Sequence, residues 1–210
     1  PALAEYGQGF CRCAVHQQTQ RTFALALAQG GESNAVTILD SHLQVVATVE
    51  AAESTNTYGY GAICDVAVHG DQVLILTTRD HAQGPGLRLL DLDGRYLRTI
   101  AAGQLKNPQA VAASYGRAFA IDQEGEEDEE DEEDGIRRAL HVMRVIDIQS
   151  GDILQQVRVG LVDEVTAVLV DGDEVYIACF SESDVSESDV GESDASESEI
   201  VVLPFAGSEA

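Results

Sequence analysis

The chain has no tryptophan, one methionine and 5% aromatic residues, so any core must rest on valine, leucine, isoleucine and alanine. Positive charge is scarce as well. Twelve Lys and Arg stand against 37 Asp and Glu, a net charge of −25. Nucleic acid binding needs cations that displace counterions from phosphates, so this balance argues against such a partner. No apolar run approaches the ~18 residues that a membrane-spanning helix requires, and no basic-then-apolar leader opens the chain. Neither a membrane partner nor a signal peptide is expected. Opening at Pro1 without a methionine, the 210-residue chain reads as processed or as a piece of something longer.

Signatures of chemistry are missing too. There is no Gly-x-Ser-x-Gly, His-Glu-x-x-His, P-loop or dinucleotide fingerprint, so no cofactor is expected and catalysis is disfavoured. Some enzymes gather carboxylates and histidines from loops far apart in sequence, so a metal-dependent hydrolase or lyase stays as the alternative. Four cysteines, Cys11, Cys13, Cys64 and Cys179, form neither a CxxC nor a zinc spacing. They read as reduced, buried thiols of an intracellular protein, cytoplasmic or nuclear.

What is present is repetition. Cys11-Arg-Cys-Ala-Val-His16 precedes TFALALA, and Cys64-Asp-Val-Ala-Val-His69 precedes Gly-Asp and QVLILTT. Gln109-Ala-Val-Ala-Ala-Ser114 leads through Tyr-Gly into RAFAID, and Thr166-Ala-Val-Leu-Val-Asp171 through Gly-Asp into EVYIACF. Each unit is an apolar run, a short turn and a second apolar run, which predicts a β-hairpin. A second hairpin follows the first three units, with Asp40, Asp91 and Asp147 at matching places before its turn. The fourth unit keeps only EIVVLPF.

Four strands per unit at frame steps of 53, 45 and 57 residues predict an all-β fold, a β-propeller of about four four-stranded antiparallel blades. The blades are expected at 10–50, 63–102, 108–160 and 164–207, behind a tail at 1–9, with acidic insertions at 123–135 and 181–199. Closure is not evident from the fourth unit. A partner, or sequence beyond this chain, is expected to complete the ring.

The segment ICDVAVHGDQVLILTTRDHAQGPGLRLLDLDGRYLRTI, from Ile63 to Ile100, resembles an NHL-type repeat in its strand order and its Asp-x-Asp-Gly-Arg turn. Lys106-Asn107-Pro108 resembles that family's proline entering a blade. The Val-Ala-Asp of the family's second strand is reduced to Ala120-Ile121-Asp122. The resemblance implies a non-enzymatic protein-binding scaffold within a larger protein.

The negative charge is concentrated. Glu124–Asp134 holds ten carboxylates and Glu182–Glu199 eight; set aside those eighteen, and −7 of the −25 remains. Both stretches fall between the second and third strands of consecutive blades, so they are expected to emerge from one rim. Glu126, Glu127, Asp128, Glu129, Glu130, Asp131, Glu132, Glu133 and Asp134 would then contact a basic protein segment. Solvated loops that only aid solubility are the plainer alternative. Weak divalent-cation binding is another, although the run lacks the pattern of a defined loop. Ser181, Ser186 and Ser196 each precede an acidic residue by three positions and are candidate phosphorylation sites. His16 and His69 share a frame position on the opposite rim; turn capping fits them better than metal binding, because Ser114 and Asp171 stand there in the later units. His42, His81 and His141 have no partner visible in the sequence.

Overall fold

The computed structural model describes residues 11–26, 35–50, 63–78, 84–126, 139–162, 164–181 and 197–204. Among them every regular element is a strand. Blade 1 holds β1 (Cys11–His16), β2 (Arg21–Ala26), β3 (Ala35–Leu39) and β4 (Val45–Glu50). Blade 2 holds β5 (Ile63–His69), β6 (Gln72–Thr77), β7 (Gly86–Asp91) and β8 (Tyr96–Ile100). Blade 3 holds β9 (Pro108–Ser114), β10 (Arg117–Glu126), β11 (Ala139–Asp147) and β12 (Ile153–Val162). Blade 4 holds β13 (Glu164–Asp171), β14 (Glu174–Ser181) and β15 (Glu197–Pro204). Within each sheet the strands pair antiparallel in chain order, and the fourth sheet has three strands among the described residues. The expected all-β, four-blade propeller architecture is what the protein adopts.

Alternation along the strands explains how the blades stack. Side chains two apart share a face. In β6, Val73 and Ile75 join the core between blades 1 and 2, while Leu74 and Leu76 join the core between blades 2 and 3. In β10, Ala118 and Ala120 face blade 2, while Phe119 and Ile121 face blade 4. Large meets small across the second core, where Leu74 and Leu76 share a cluster with Ala118 and Ala120. Each fully buried leucine or phenylalanine contributes about 1.5–3 kcal/mol over an exposed one. Both faces of an inner blade are therefore apolar, which is why its strands read as continuous apolar runs.

The turns between paired hairpins follow one pattern. Asp40 Oδ1 accepts the N–H groups of His42 and Gln44, at 2.8 and 3.0 Å. Asp91 Oδ1 accepts those of Asp93 and Arg95, at 2.9 and 2.8 Å. Asp147 Oδ1 accepts that of Ser150 at 2.6 Å. A short carboxylate capping its own turn is the reason aspartate recurs at that place. These turns also lean on the preceding blade. A Cβ on Gly94 would meet Val49 Cγ2 at 2.5 Å, and one on Gly151 would meet Ile100 Cβ at 3.2 Å. Both glycines have φ near +85°, so close approach and backbone conformation each require them.

Candidate interaction face

The inner strands β1, β5, β9 and β13 lie side by side in chain order, and polar contacts at both ends show that they run the same way. At their first ends, Asp65 is buried at the start of β5. Its Oδ1 accepts the Val66 N–H and its Oδ2 the Val111 N–H of blade 3, each at 2.8 Å. Arg12, on β1, lies 3.5 Å from that carboxylate and donates to the Gln109 carbonyl at 2.7 Å. One ion pair thus ties three inner strands together. Burial raises the Asp65 pKa, and the Val111 N–H and the Arg12 guanidinium oppose that rise.

A second polar cluster stands on the same face, at the root of the first acidic stretch. Asp122 is fully buried near the end of β10. Its Oδ1 accepts the N–H groups of Lys106 and Asn107, at 2.9 and 2.8 Å, and its Oδ2 accepts Arg144 Nε at 2.9 Å. Arg144 also donates to Glu124, and Lys106 Nζ reaches the Glu124 carbonyl. His141 is buried beside them, bonded to the Ala139 carbonyl at 2.9 Å, and burial lowers its pKa. The Lys106 and Asn107 bonds hold the segment before β9 against β10, and Arg144 joins β11 to β10. Such an arrangement ties this end of blade 3 together.

At the other end of the inner strands the histidines cap turns. His16 Nδ1 contacts Thr19 Oγ1 at 2.7 Å and accepts the Thr19 N–H at 3.3 Å. Its Nε2 lies 3.9 Å from Asp71 of blade 2. His69 Nε2 accepts the Gly116 N–H of blade 3 at 3.0 Å. The shared frame position therefore links blade 1 and blade 2 each to the next blade's turn. Among the described residues, no three His, Cys, Asp or Glu side chains group as metal ligands.

The acidic residues singled out by the sequence fall mostly outside the described residues: Glu127, Asp128, Glu129, Glu130, Asp131, Glu132, Glu133 and Asp134 all do, as do Ser186, Ser196 and His81. Glu126 ends β10 and Ser181 ends β14. The strands run further than the sequence suggested, since Gln123–Glu126 belongs to β10 and Glu197–Glu199 to β15, where Glu197 pairs with Ser181. The expectation of uniformly buried cysteines needs correction. Cys64 and Cys179 are buried, but Cys13 is exposed, because among the described residues no blade packs on its side of β1. Arg12, Asp65 and Arg144 went unnoticed as a group. The signal for them was a charged residue inside an otherwise apolar strand.

No protein-family model matches the chain, and no curated protein matches its sequence. Solved structures share its fold. The computationally designed Ika4 protein is 13% identical, with 94% of this chain covering 92% of that one at a TM-score of 0.52. Kuenenia stuttgartiensis hydrazine synthase is 11% identical at a TM-score of 0.53, and Drosophila Semaphorin 2a 8% identical at 0.57. The match takes in 92% and 93% of this chain, but only 62% and 36% of those two chains. At such identities the likeness is one of fold, and the protein is accordingly similar to β-propellers.

Proposed function

We propose that this protein is a non-enzymatic recognition module whose carboxylate-rich rim captures a basic segment of a partner protein. The observation that supports it is the position of four strand ends. β10 ends at Glu126 and β11 begins at Ala139; β14 ends at Ser181 and β15 begins at Glu197. These are the same connection in neighbouring blades, which supports the reading that both acidic stretches belong to one rim, the one that carries the Asp122–Arg144–Glu124 cluster. On this reading the carboxylates of the two stretches would set up a field that speeds encounter with a cationic segment and weakens as salt is added. Phosphorylation of Ser181, Ser186 or Ser196 would deepen that field. The likeness of Ile63–Ile100 to NHL repeats supports the same reading, as a scaffold inside the cell.

The test is calorimetric titration of a lysine- and arginine-rich peptide into the whole chain at low and high salt. A second chain carries Gln or Asn at the nine carboxylates from Glu126 to Asp134. Binding should weaken at least 10-fold in that chain, and weaken with salt in the unaltered one. Equal affinity for both chains contradicts the reading.

A further inference from the structure

The register of the blades assigns every strand residue to the face that meets the previous blade or to the face that meets the next. Leu74 in β6 and Phe119 in β10 are equivalent, each three residues after the strand before it ends its turn, and each is buried against the next blade. The equivalent in blade 4 is Tyr176, paired with Leu169 and Val202. That face has an apolar centre with Glu174 and Asp171 at one edge, and among the described residues no blade stands on it: Leu169 is 61% exposed, Ile200 66% and Val202 45%. At the other end, Val66 and Val68 of β5 face blade 1, and their equivalents in β1 are Cys13 and Val15. Val15 is 52% exposed, and Cys13 is exposed as well. The two end faces therefore do not bury each other within one chain. Each is nonetheless the repeat of a surface that is buried three times inside it.

We propose that a second copy of this chain covers both faces. Blade 4 of one copy stacks on blade 1 of the other, and a two-fold axis makes the same contact twice, giving a closed ring of eight blades. The argument for a second copy is continuity with the existing interface, because the missing surface for each end is one the chain itself presents at its other end. Head-to-tail contacts of this kind either close or grow into filaments, and two copies are the smallest number that closes without an end. Leu43 adds to the blade 1 end. It holds φ +58° at the place where blades 2 and 3 have Gly94 and Gly151, and its apolar side chain is exposed. Charge opposes the assembly, since each copy carries −25. Salt should therefore tighten the ring, whereas it should loosen a basic partner on the acidic rim, so the two proposals can fail separately.

Light scattering on the purified whole chain tests this. The expected mass is about 45 kDa, twice the 22.4 kDa of one chain, at micromolar concentration and 0.15 M salt. Val15→Asp and Leu169→Asp should each give 22.4 kDa, with unchanged circular dichroism because both positions are exposed in the single chain. Mixing the two variants should recover a dimer, since one copy keeps its blade 4 face and the other its blade 1 face; misfolded variants would not. An unaltered chain that stays at 22.4 kDa, or a mass that climbs steadily with concentration, overturns the ring. So does a dimer indifferent to both substitutions, or a mixture at ~100 µM with no dimer.

Discussion

Blades 2 and 3 and blades 1 and 4 are built from the same repeat, yet they differ in what stands on their second face. In the inner pair, alternate residues of one strand enter two different cores, as Val73 and Leu74 do. In the outer pair, one set enters a core, as Ile177 does, and the other includes exposed apolar residues, Val15 in blade 1 and Leu169 in blade 4, beside buried ones such as Leu39. The turn residue follows the same division. Gly94 and Gly151 press on the blade before them, whereas blade 1 carries Leu43 at that place. The difference teaches that neighbour contact, more than strand propensity, decides which positions in this repeat are constrained.

That comparison can be broken most forcefully at the polar root of blade 3. Asp122→Ala removes the buried one of Arg144's two carboxylate partners and leaves two N–H groups without an acceptor, so unfolding in denaturant should show a loss of about 3–5 kcal/mol. Next in size is a matched pair of truncations. Leu89→Ala, in the core between blades 2 and 3, should cost about 2–5 kcal/mol. Leu169→Ala, on the open face of blade 4, should stay within about 0.5 kcal/mol in dilute solution. Equal losses at the two sites would show that the end face is covered within the chain. Gly94→Ala should lose about 2 kcal/mol through its left-handed backbone and its contact with Val49, while Leu43→Gly should change stability by about 1 kcal/mol or less.

The smallest expected effect is in acid. Turn N–H groups hold the Asp147 carboxyl below the usual range, chiefly that of Ser150. A depressed folded-state pKa gives stability that is present above the unfolded value, about 3.9, and is lost as pH falls through the folded one. Asp65 has the opposite sign: burial raises its pKa, so its contribution is lost as pH rises through that raised value. Asp147→Asn keeps the turn acceptor without the charge. Melting temperatures from pH 2 to 7 should show a shallower acid limb for this variant, and an unchanged limb would contradict the assignment.

Much of the fold was legible because it depends on local, repeated features. Gly70-Asp71 and Gly172-Asp173 form the two-residue turns that their sequence predicts, and Asp40, Asp91 and Asp147 cap theirs. The histidines were legible for the same reason, since His16 bonds three residues away. The Arg12–Asp65–Gln109 tie was not, because it joins three strands whose spacing in the chain says nothing of their separation in space. Nor was the exposure of Cys13, which depends on what packs against blade 1 rather than on its own strand.

Cys13 also offers the most direct measurement of the central claim, that the end faces are blade-stacking surfaces. It is an exposed thiol on the blade 1 end, while Cys64 and Cys179 are buried. Its alkylation rate, followed by peptide mass spectrometry over a range of protein concentrations, should fall at least 10-fold as the chain associates, and Leu169→Asp should abolish that protection. A Cys13 rate that is the same at every concentration would contradict the account.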